Sequence, residues 1–76
     1  MFLEVQKILA QTFMVSLEKI KLETNMDNLR EWDSMNQLKL IMELEKVFKV
    51  RFNPNEMAKL NSVKSILENL QIKKAA

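Results

Sequence analysis

The 76-residue sequence contains no cysteine, no histidine, no tyrosine and no glycine. Without Cys or His, the chain cannot form a disulfide, a thiolate metal site or a His-based catalytic centre. Without Gly, it lacks the residue whose backbone freedom a phosphate-cradling loop requires. The chain is therefore poorly equipped to be a self-contained enzyme.

Charge and hydropathy exclude further classes of protein. The chain has 12 Lys and Arg against 10 Asp and Glu, and these basic residues are scattered among acidic ones. A net charge of +2 spread in this way disfavours a nucleic-acid partner, including the alternative of a small DNA-binding helical domain. No apolar run approaches the roughly 20 residues that a membrane span needs. The N-terminal residues include Glu4 and show no basic leader or small-residue cleavage site, so we expect a mature cytoplasmic protein.

Apolar residues recur at three- and four-residue steps along most of the chain, which predicts helices and no strands. We expect one domain over residues 1–76, folded as an all-α, small four-helix bundle with a long loop between helices 1 and 2. The expected helices cover about residues 2–14, 34–48, 55–60 and 62–72, the third being short, with a frayed tail after them.

The loop over residues 15–33 is long for so small a domain, and such loops tend to be functional. Ser16 is expected to cap a single turn within it. The loop contains four large apolar residues that we expect to pack onto the helices: Leu22, Met26, Leu29 and Trp32. In the helix that follows, the expected core stripe is Leu38, Ile41, Leu44 and Phe48, with Leu40 and Val47 at its borders.

Ser34 is the residue best placed for chemistry, because it stands where the loop ends and the second helix begins. Backbone N–H groups and the dipole at a helix start favour an anion, so a phosphate ester on the Ser34 hydroxyl would be well accommodated. On this dipeptide alone, the simpler interpretation is that Asp33 or Ser34 only caps the helix.

Two methionines on the second helix fall outside its apolar stripe. Met35 and Met42 are seven residues apart and lie beside Lys39 and Lys46 on a helical wheel. Exposed Met side chains suit a surface that must fit several partners. The equally weighted alternative is that both border the core and contact Trp32 or the last helix.

The residues around Ser34 resemble the signature of acyl and peptidyl carrier proteins. In that family an Asp-Ser-Leu motif opens the second helix, and a Leu-x-x-x-Leu-Glu-x-x-Phe pattern follows it. Here Asp33, Ser34 and Met35 stand at the motif, with Met replacing Leu, and the rest of the resemblance covers about residues 2–72. The matching positions after the motif are Leu40, Leu44, Glu45, Phe48, Val50, Phe52, Pro54, Glu56, Ser62 and Val63.

The resemblance implies a covalent cofactor. In that family the motif serine receives a 4′-phosphopantetheine arm from coenzyme A, attached by a separate phosphopantetheinyl transferase with Mg²⁺. The arm's thiol then carries an acyl or aminoacyl intermediate as a thioester between a loading enzyme and downstream biosynthetic enzymes. By resemblance Ser34 is the attachment site, Asp33 helps present it, and the bundle interior around Leu38 and Ile41 shelters a fatty chain.

The resemblance also makes the second helix the recognition element, with a contact face of Met35, Lys39, Met42, Glu43 and Lys46. Fatty-acid-synthesis carriers usually present carboxylates there, whereas this chain has Asn36, Gln37 and Lys39 just after Ser34. We therefore expect a stand-alone monomeric carrier of a specialised polyketide, nonribosomal peptide or lipid pathway rather than an acidic housekeeping carrier. The alternative from a different class is an unmodified α-helical interaction module that binds a partner helix through Met35 and Met42.

Overall fold

The computed structural model of the protein describes residues 1–75, which form four α-helices and one short 3₁₀ turn. The helices are α1 (Phe2–Phe13), α2 (Ser34–Phe48), α3 (Pro54–Lys59) and α4 (Val63–Ala75), and the 3₁₀ turn spans Leu17–Lys19. The predicted all-α bundle with a long first connection is confirmed. α1 packs against α2, α4 and the 3₁₀ turn, while α3 lies against α4.

One hydrophobic cluster joins all four helices and the first connection. Five of its members have no exposed surface and lie on facing sides of α2, α3's end and α4: Leu40, Leu44, Leu60, Ile66 and Leu70. The connection contributes Ile20, Leu29 and Trp32, and the Trp32 ring lies 5.3 Å from the Phe13 ring between centroids. The loop over residues 15–33 is thus part of the core rather than a free strap.

Side chains cap the starts of three helices. The Asp33 carboxylate accepts a hydrogen bond from the Asn36 backbone N–H at 2.8 Å and begins α2. Asn53 and Glu56 form a capping box at the start of α3, in which the side-chain oxygen of each accepts the backbone N–H of the other at 2.8 Å. Pro54 fits the first position of α3 because an N–H at that position would have no partner within the helix. Ser62 Oγ accepts from the Ser65 N–H and begins α4.

α1 and α2 end on residues in the left-handed backbone region. Met14 has φ 56° and Lys49 has φ 55°, the conformation that a glycine usually adopts after a helix. A side chain at this position costs conformational energy because its Cβ crowds the backbone. The chain has no glycine to place there, so it makes both turns with ordinary residues.

The structure corrects several of the sequence expectations. Helix 1 ends at Phe13 rather than residue 14, α3 begins at Pro54, and α4 extends past residue 72 to Ala75. The frayed tail is wrong for Lys73 and Lys74, which are helical, and Ala76 lies outside the described residues. Ser16 precedes the 3₁₀ turn but makes no side-chain cap bond, and Leu22 is exposed.

The first connection is tied to the helices by polar contacts. Gln6 on α1 donates from Nε2 to the carbonyl oxygens of Leu17 and Ile20, at 3.1 and 2.8 Å. Thr24, which is buried, accepts the Val63 N–H at its carbonyl and so joins the connection to the start of α4. These bonds fix the route by which the connection reaches α2.

The end of α4 is tied to the segment between α2 and α3. Lys73 Nζ lies 2.8 Å from Glu56 Oε2 and 5.5 Å from the centroid of the Phe52 ring. The hydrogen bond from Lys73, with the Asn53 N–H bond adding to it, lowers the pKa of Glu56 below its ordinary value. Lys74 Nζ donates to the Phe48 carbonyl at 3.2 Å.

Among residues 1–75, no helix is both long enough and apolar enough to cross a membrane.

Candidate functional site

Ser34 is the first residue of α2, and its side chain is exposed. Asp33 occupies the N-cap, so the structure assigns the capping role to Asp33 and leaves the Ser34 hydroxyl without a hydrogen-bond partner among residues 1–75. The Asn36 N–H is bonded to the Asp33 side chain and the Gln37 N–H to the Asp33 carbonyl. The hydroxyl therefore takes no part in starting the helix and is available to a reagent.

The backbone before Ser34 is held from both sides. Asn36 donates from Nδ2 to the Glu31 carbonyl at 2.8 Å, which folds the first turn of α2 back over the preceding loop. Trp32 is 2% exposed and donates from Nε1 to Gln37 Oε1 at 2.6 Å. Gln37 in turn donates from Nε2 to the Leu60 carbonyl at 2.8 Å. An exposed hydroxyl thus stands on a backbone that is anchored in the core.

The arrangement fits a phosphate ester at Ser34. The backbone N–H groups of Ser34 and Met35 have no partner among residues 1–75, and they lie at the positive end of the α2 dipole. The Asp33 carboxylate is engaged with the Asn36 N–H, which satisfies part of its charge. Within the described chain, no group of three or more Asp or Glu residues could hold a metal ion.

The expected contact residues share one exposed side of α2. Met35 is 72% exposed and Met42 is 69% exposed, so the alternative in which they border the core is wrong. Lys39, Glu43 and Lys46 are exposed as well, and at about 100° per residue they fall on the same half of the helix as the two methionines. A shallow groove on this side is lined by Thr12 of α1 and by Lys39, Met42 and Glu43.

Leu38 belongs to this exposed side, which sequence reasoning missed. The side chain is 64% exposed, so its expected place in the core stripe is wrong. Leu40 takes the buried position instead, together with Ile41, Leu44 and Phe48. The signal was present in the helical wheel, where Leu38 falls about 40° from Met42 and about 60° from Ile41. Leu38, Met35 and Met42 together form an apolar patch beside Ser34.

Comparison with known proteins agrees with this geometry. A family model described as the phosphopantetheine attachment site matches residues 4–70, which is most of the chain. The protein is thus of the phosphopantetheine-bearing carrier class.

Curated relatives narrow the class further. An acyl carrier protein of Phytoplasma mali (strain AT) is 30% identical over 70 residues, covering 92% of this chain and 83% of that protein. An acyl carrier protein of Trieres chinensis is 30% identical over 74 residues, covering 97% and 92%. One of Coprothermobacter proteolyticus is 27% identical over 70 residues, covering 92% and 85%. The chain belongs to the acyl carrier protein family, whose cofactor is covalently attached 4′-phosphopantetheine.

Proposed function

We propose that Ser34 carries the 4′-phosphopantetheine arm and that the arm's thiol holds an acyl or aminoacyl intermediate as a thioester. The observation that carries this proposal is the exposed Ser34 hydroxyl, unbonded among residues 1–75, on the anchored first turn of α2. A phosphopantetheinyl transferase would join the Ser34 oxygen to the phosphate of the arm, and the nucleotide part of coenzyme A would leave. The chain is then a substrate of that transferase and not itself an enzyme.

The composition of the chain supports this division of labour. A thioester needs a thiol, and the sequence has no cysteine, so the reactive sulfur must come with the arm. General bases and oxyanion donors are supplied by the enzymes that act on a carrier, which matches a site made of one serine and a helix start. The carrier's own residues hold the attachment point still and leave the cargo to its partners.

The exposed side of α2 is proposed as the surface where these partners dock. Its apolar patch of Met35, Leu38 and Met42 adjoins Ser34, and Lys39 and Lys46 outnumber Glu43 around it. Apolar contact area would supply affinity, while the lysines would favour partners with acidic docking sites. This charge pattern supports a specialised biosynthetic pathway over the fatty-acid-synthesis type.

We place the carrier in the cytoplasm and take it to act as a monomer, a state that leaves α2 free for docking. Its partners are the transferase with coenzyme A, an acyl- or aminoacyl-loading enzyme and downstream biosynthetic enzymes.

Intact mass after coexpression with a broad-specificity phosphopantetheinyl transferase tests the attachment site. The wild-type chain should gain one phosphopantetheinyl increment, and Ser34→Ala should gain none. Ser16→Ala is the matched control, because Ser16 is also exposed, also stands at the start of a helical segment and also makes no side-chain cap bond. That variant should be modified as the wild type is.

Two results would contradict the proposal. An increment that persists in Ser34→Ala would place the arm elsewhere, and no increment in any variant would favour an unmodified interaction module. Loading the modified chain with a panel of acyl and aminoacyl donors then identifies the cargo.

A further inference from the structure

Gln37 occupies the core-facing side of α2 at the end nearest Ser34. The buried residues of α2 are Leu40, Ile41, Leu44 and Phe48, and at about 100° per residue Gln37 falls in the middle of that line. Every later member of the line is apolar. A half-buried polar amide therefore stands at the Ser34 end of this core-facing line, one helical turn from Ser34.

Both ends of the Gln37 amide are bonded to fixed groups. Its Oε1 accepts the Trp32 Nε1–H at 2.6 Å, and its Nε2 donates to the Leu60 carbonyl at 2.8 Å. Trp32 and Leu60 are 2% and 0% exposed, so neither partner can turn to water instead. We name this pair of hydrogen bonds the Gln37 bridge. It joins the end of the first connection, the first turn of α2 and the segment after α3.

The side chains behind the Gln37 bridge are fully buried. Leu40, Leu44, Leu60 and Ile66 have no exposed surface and belong to the same hydrophobic cluster. An alkyl chain that followed the core-facing side of α2 inward from Ser34 would meet the bridge before it reached these buried side chains.

We infer that Gln37 is a specificity-determining residue that keeps alkyl cargo out of the bundle, so the thioester cargo remains in solvent. An alkyl chain entering between α2 and the end of α3 would separate the Trp32 N–H and the Leu60 carbonyl from their partners, and it has no polar group to replace them. The cargo this carrier suits is consequently a short or polar acyl or aminoacyl group. The inference rests on the proposed attachment of the arm at Ser34.

Thioester protection tests the inference on the modified protein. The arm is loaded with octanoyl or acetyl groups, and cleavage by hydroxylamine is timed, each rate divided by that of the same acyl group on free pantetheine. In the wild type the two normalised rates should agree within about twofold, since burying even one methylene group would separate them by about fourfold. Slower cleavage of the octanoyl group alone would overturn the inference.

Variants that break the Gln37 bridge should separate the octanoyl and acetyl cleavage rates that agree in the wild type. Gln37→Ala removes both bonds and leaves space, so octanoyl cleavage should slow by at least about fourfold relative to acetyl, the factor for one buried methylene group. Trp32→Phe keeps the ring against Phe13 but removes the N–H, and it should shift the ratio in the same direction. Gln71→Ala, at an exposed position of α4, is the matched control. Because acetyl and octanoyl are compared within each variant, general destabilisation changes both rates and leaves their ratio unaltered.

An unchanged ratio in a folded Gln37→Ala protein would overturn the role of Gln37. Circular dichroism shows whether Gln37→Ala folds. If it does not fold, the ratio of octanoyl to acetyl cleavage in Trp32→Phe tests the role of the bridge instead.

A second experiment does not depend on the transferase. A Ser34→Cys variant is joined through a disulfide to an octyl or a methyl chain, and the amide NMR signals of Leu60 and Ile66 are compared. The two adducts should agree at both residues, and octyl-specific shifts there would overturn the inference. A wild-type chain that accepts no phosphopantetheine would contradict the proposed function alone. The NMR comparison on Ser34→Cys would still decide where an alkyl chain lies.

Discussion

At the residue scale, Asp33 and Ser34 divide the work that sequence reasoning could not apportion. Either residue type can begin a helix, so the dipeptide leaves the cap undecided. The structure gives the cap to Asp33, whose carboxylate holds the Asn36 N–H, and leaves Ser34 exposed. Keeping these tasks on separate side chains matters, because modification of a capping hydroxyl would disturb the helix that carries it.

Asp33→Ala should therefore weaken the protein and its modification together. Loss of the cap should lower the free energy of unfolding by about 1 kcal/mol. Fraying of the first turn should also slow transfer of the arm to Ser34. Urea unfolding and transferase kinetics measure the two effects.

Asp27→Ala is the matched control for that substitution, because Asp27 is an exposed aspartate of the same connection. It should change both quantities little. Equal unfolding curves for the two variants would show that the Asp33 cap contributes nothing to stability.

At the element scale, α2 was the most predictable part of the chain, and the reasons are local. Its start follows from a capping residue and its length from an apolar period, so the expected bounds of 34–48 match Ser34–Phe48. α4 was underestimated because its last turn is held by distant groups, the Glu56 carboxylate and the Phe48 carbonyl. The Gln37 bridge was missed for the same reason, since the Leu60 carbonyl is 23 residues away and no local pattern identifies it.

The two faces of α2 give it two different tasks. One side enters the core through Leu40 and Leu44, and the opposite side exposes Met35, Leu38 and Met42 around two lysines and one glutamate. Charge at the rim of a docking surface acts mainly on the rate of encounter. The proposed preference for acidic partners is thus a kinetic property of this helix.

Charge reversal on α2 should change which enzymes load the carrier. We expect Lys39→Glu combined with Lys46→Glu to raise kcat/KM about tenfold at low ionic strength, when the loading enzyme is one that favours acidic carriers. The gain should shrink as salt is added, because exposed charges are screened over about 10 Å at 0.1 M ionic strength.

Lys59→Glu combined with Lys64→Glu is the control, since it makes the same change in net charge at exposed positions of α3 and α4. Equal kinetics for both double variants would mean that net charge, and not the surface of α2, governs loading.

At the scale of the whole molecule, the protein measures 32 × 23 × 20 Å, and α2 alone is about 22 Å long. A partner that covers α2 therefore covers most of one side of the molecule. Loading and downstream enzymes must then bind in turn rather than together. At the end of the bundle away from Ser34, the last turn of α4 contacts Phe48 and Glu56 and closes the bundle there.

Acid should loosen that closure through Glu56. Its pKa is lowered chiefly by the hydrogen bond from Lys73, so the contribution to stability is present above the unfolded value of about 4.5 and is lost as pH falls below it. The free energy of unfolding of Glu56→Gln should fall short of the wild-type value at pH 7, and the difference should narrow toward pH 3. Urea unfolding across this range measures it.

Glu68→Gln is the control, because Glu68 is exposed on α4. Its difference from the wild type should be small at every pH. A gap between Glu56→Gln and the wild type that stays constant with pH would contradict a role for the ionised carboxylate.

The position of Trp32 has a consequence for how this carrier can be observed. The chain has one tryptophan and no tyrosine, so its fluorescence under near-ultraviolet excitation comes from a single indole. That indole is buried two residues before Ser34, contacts Phe13 and donates its N–H to Gln37. Emission from the unlabelled protein therefore reports on the environment at the start of α2, and arm attachment and partner binding can each be followed optically at the place where they occur.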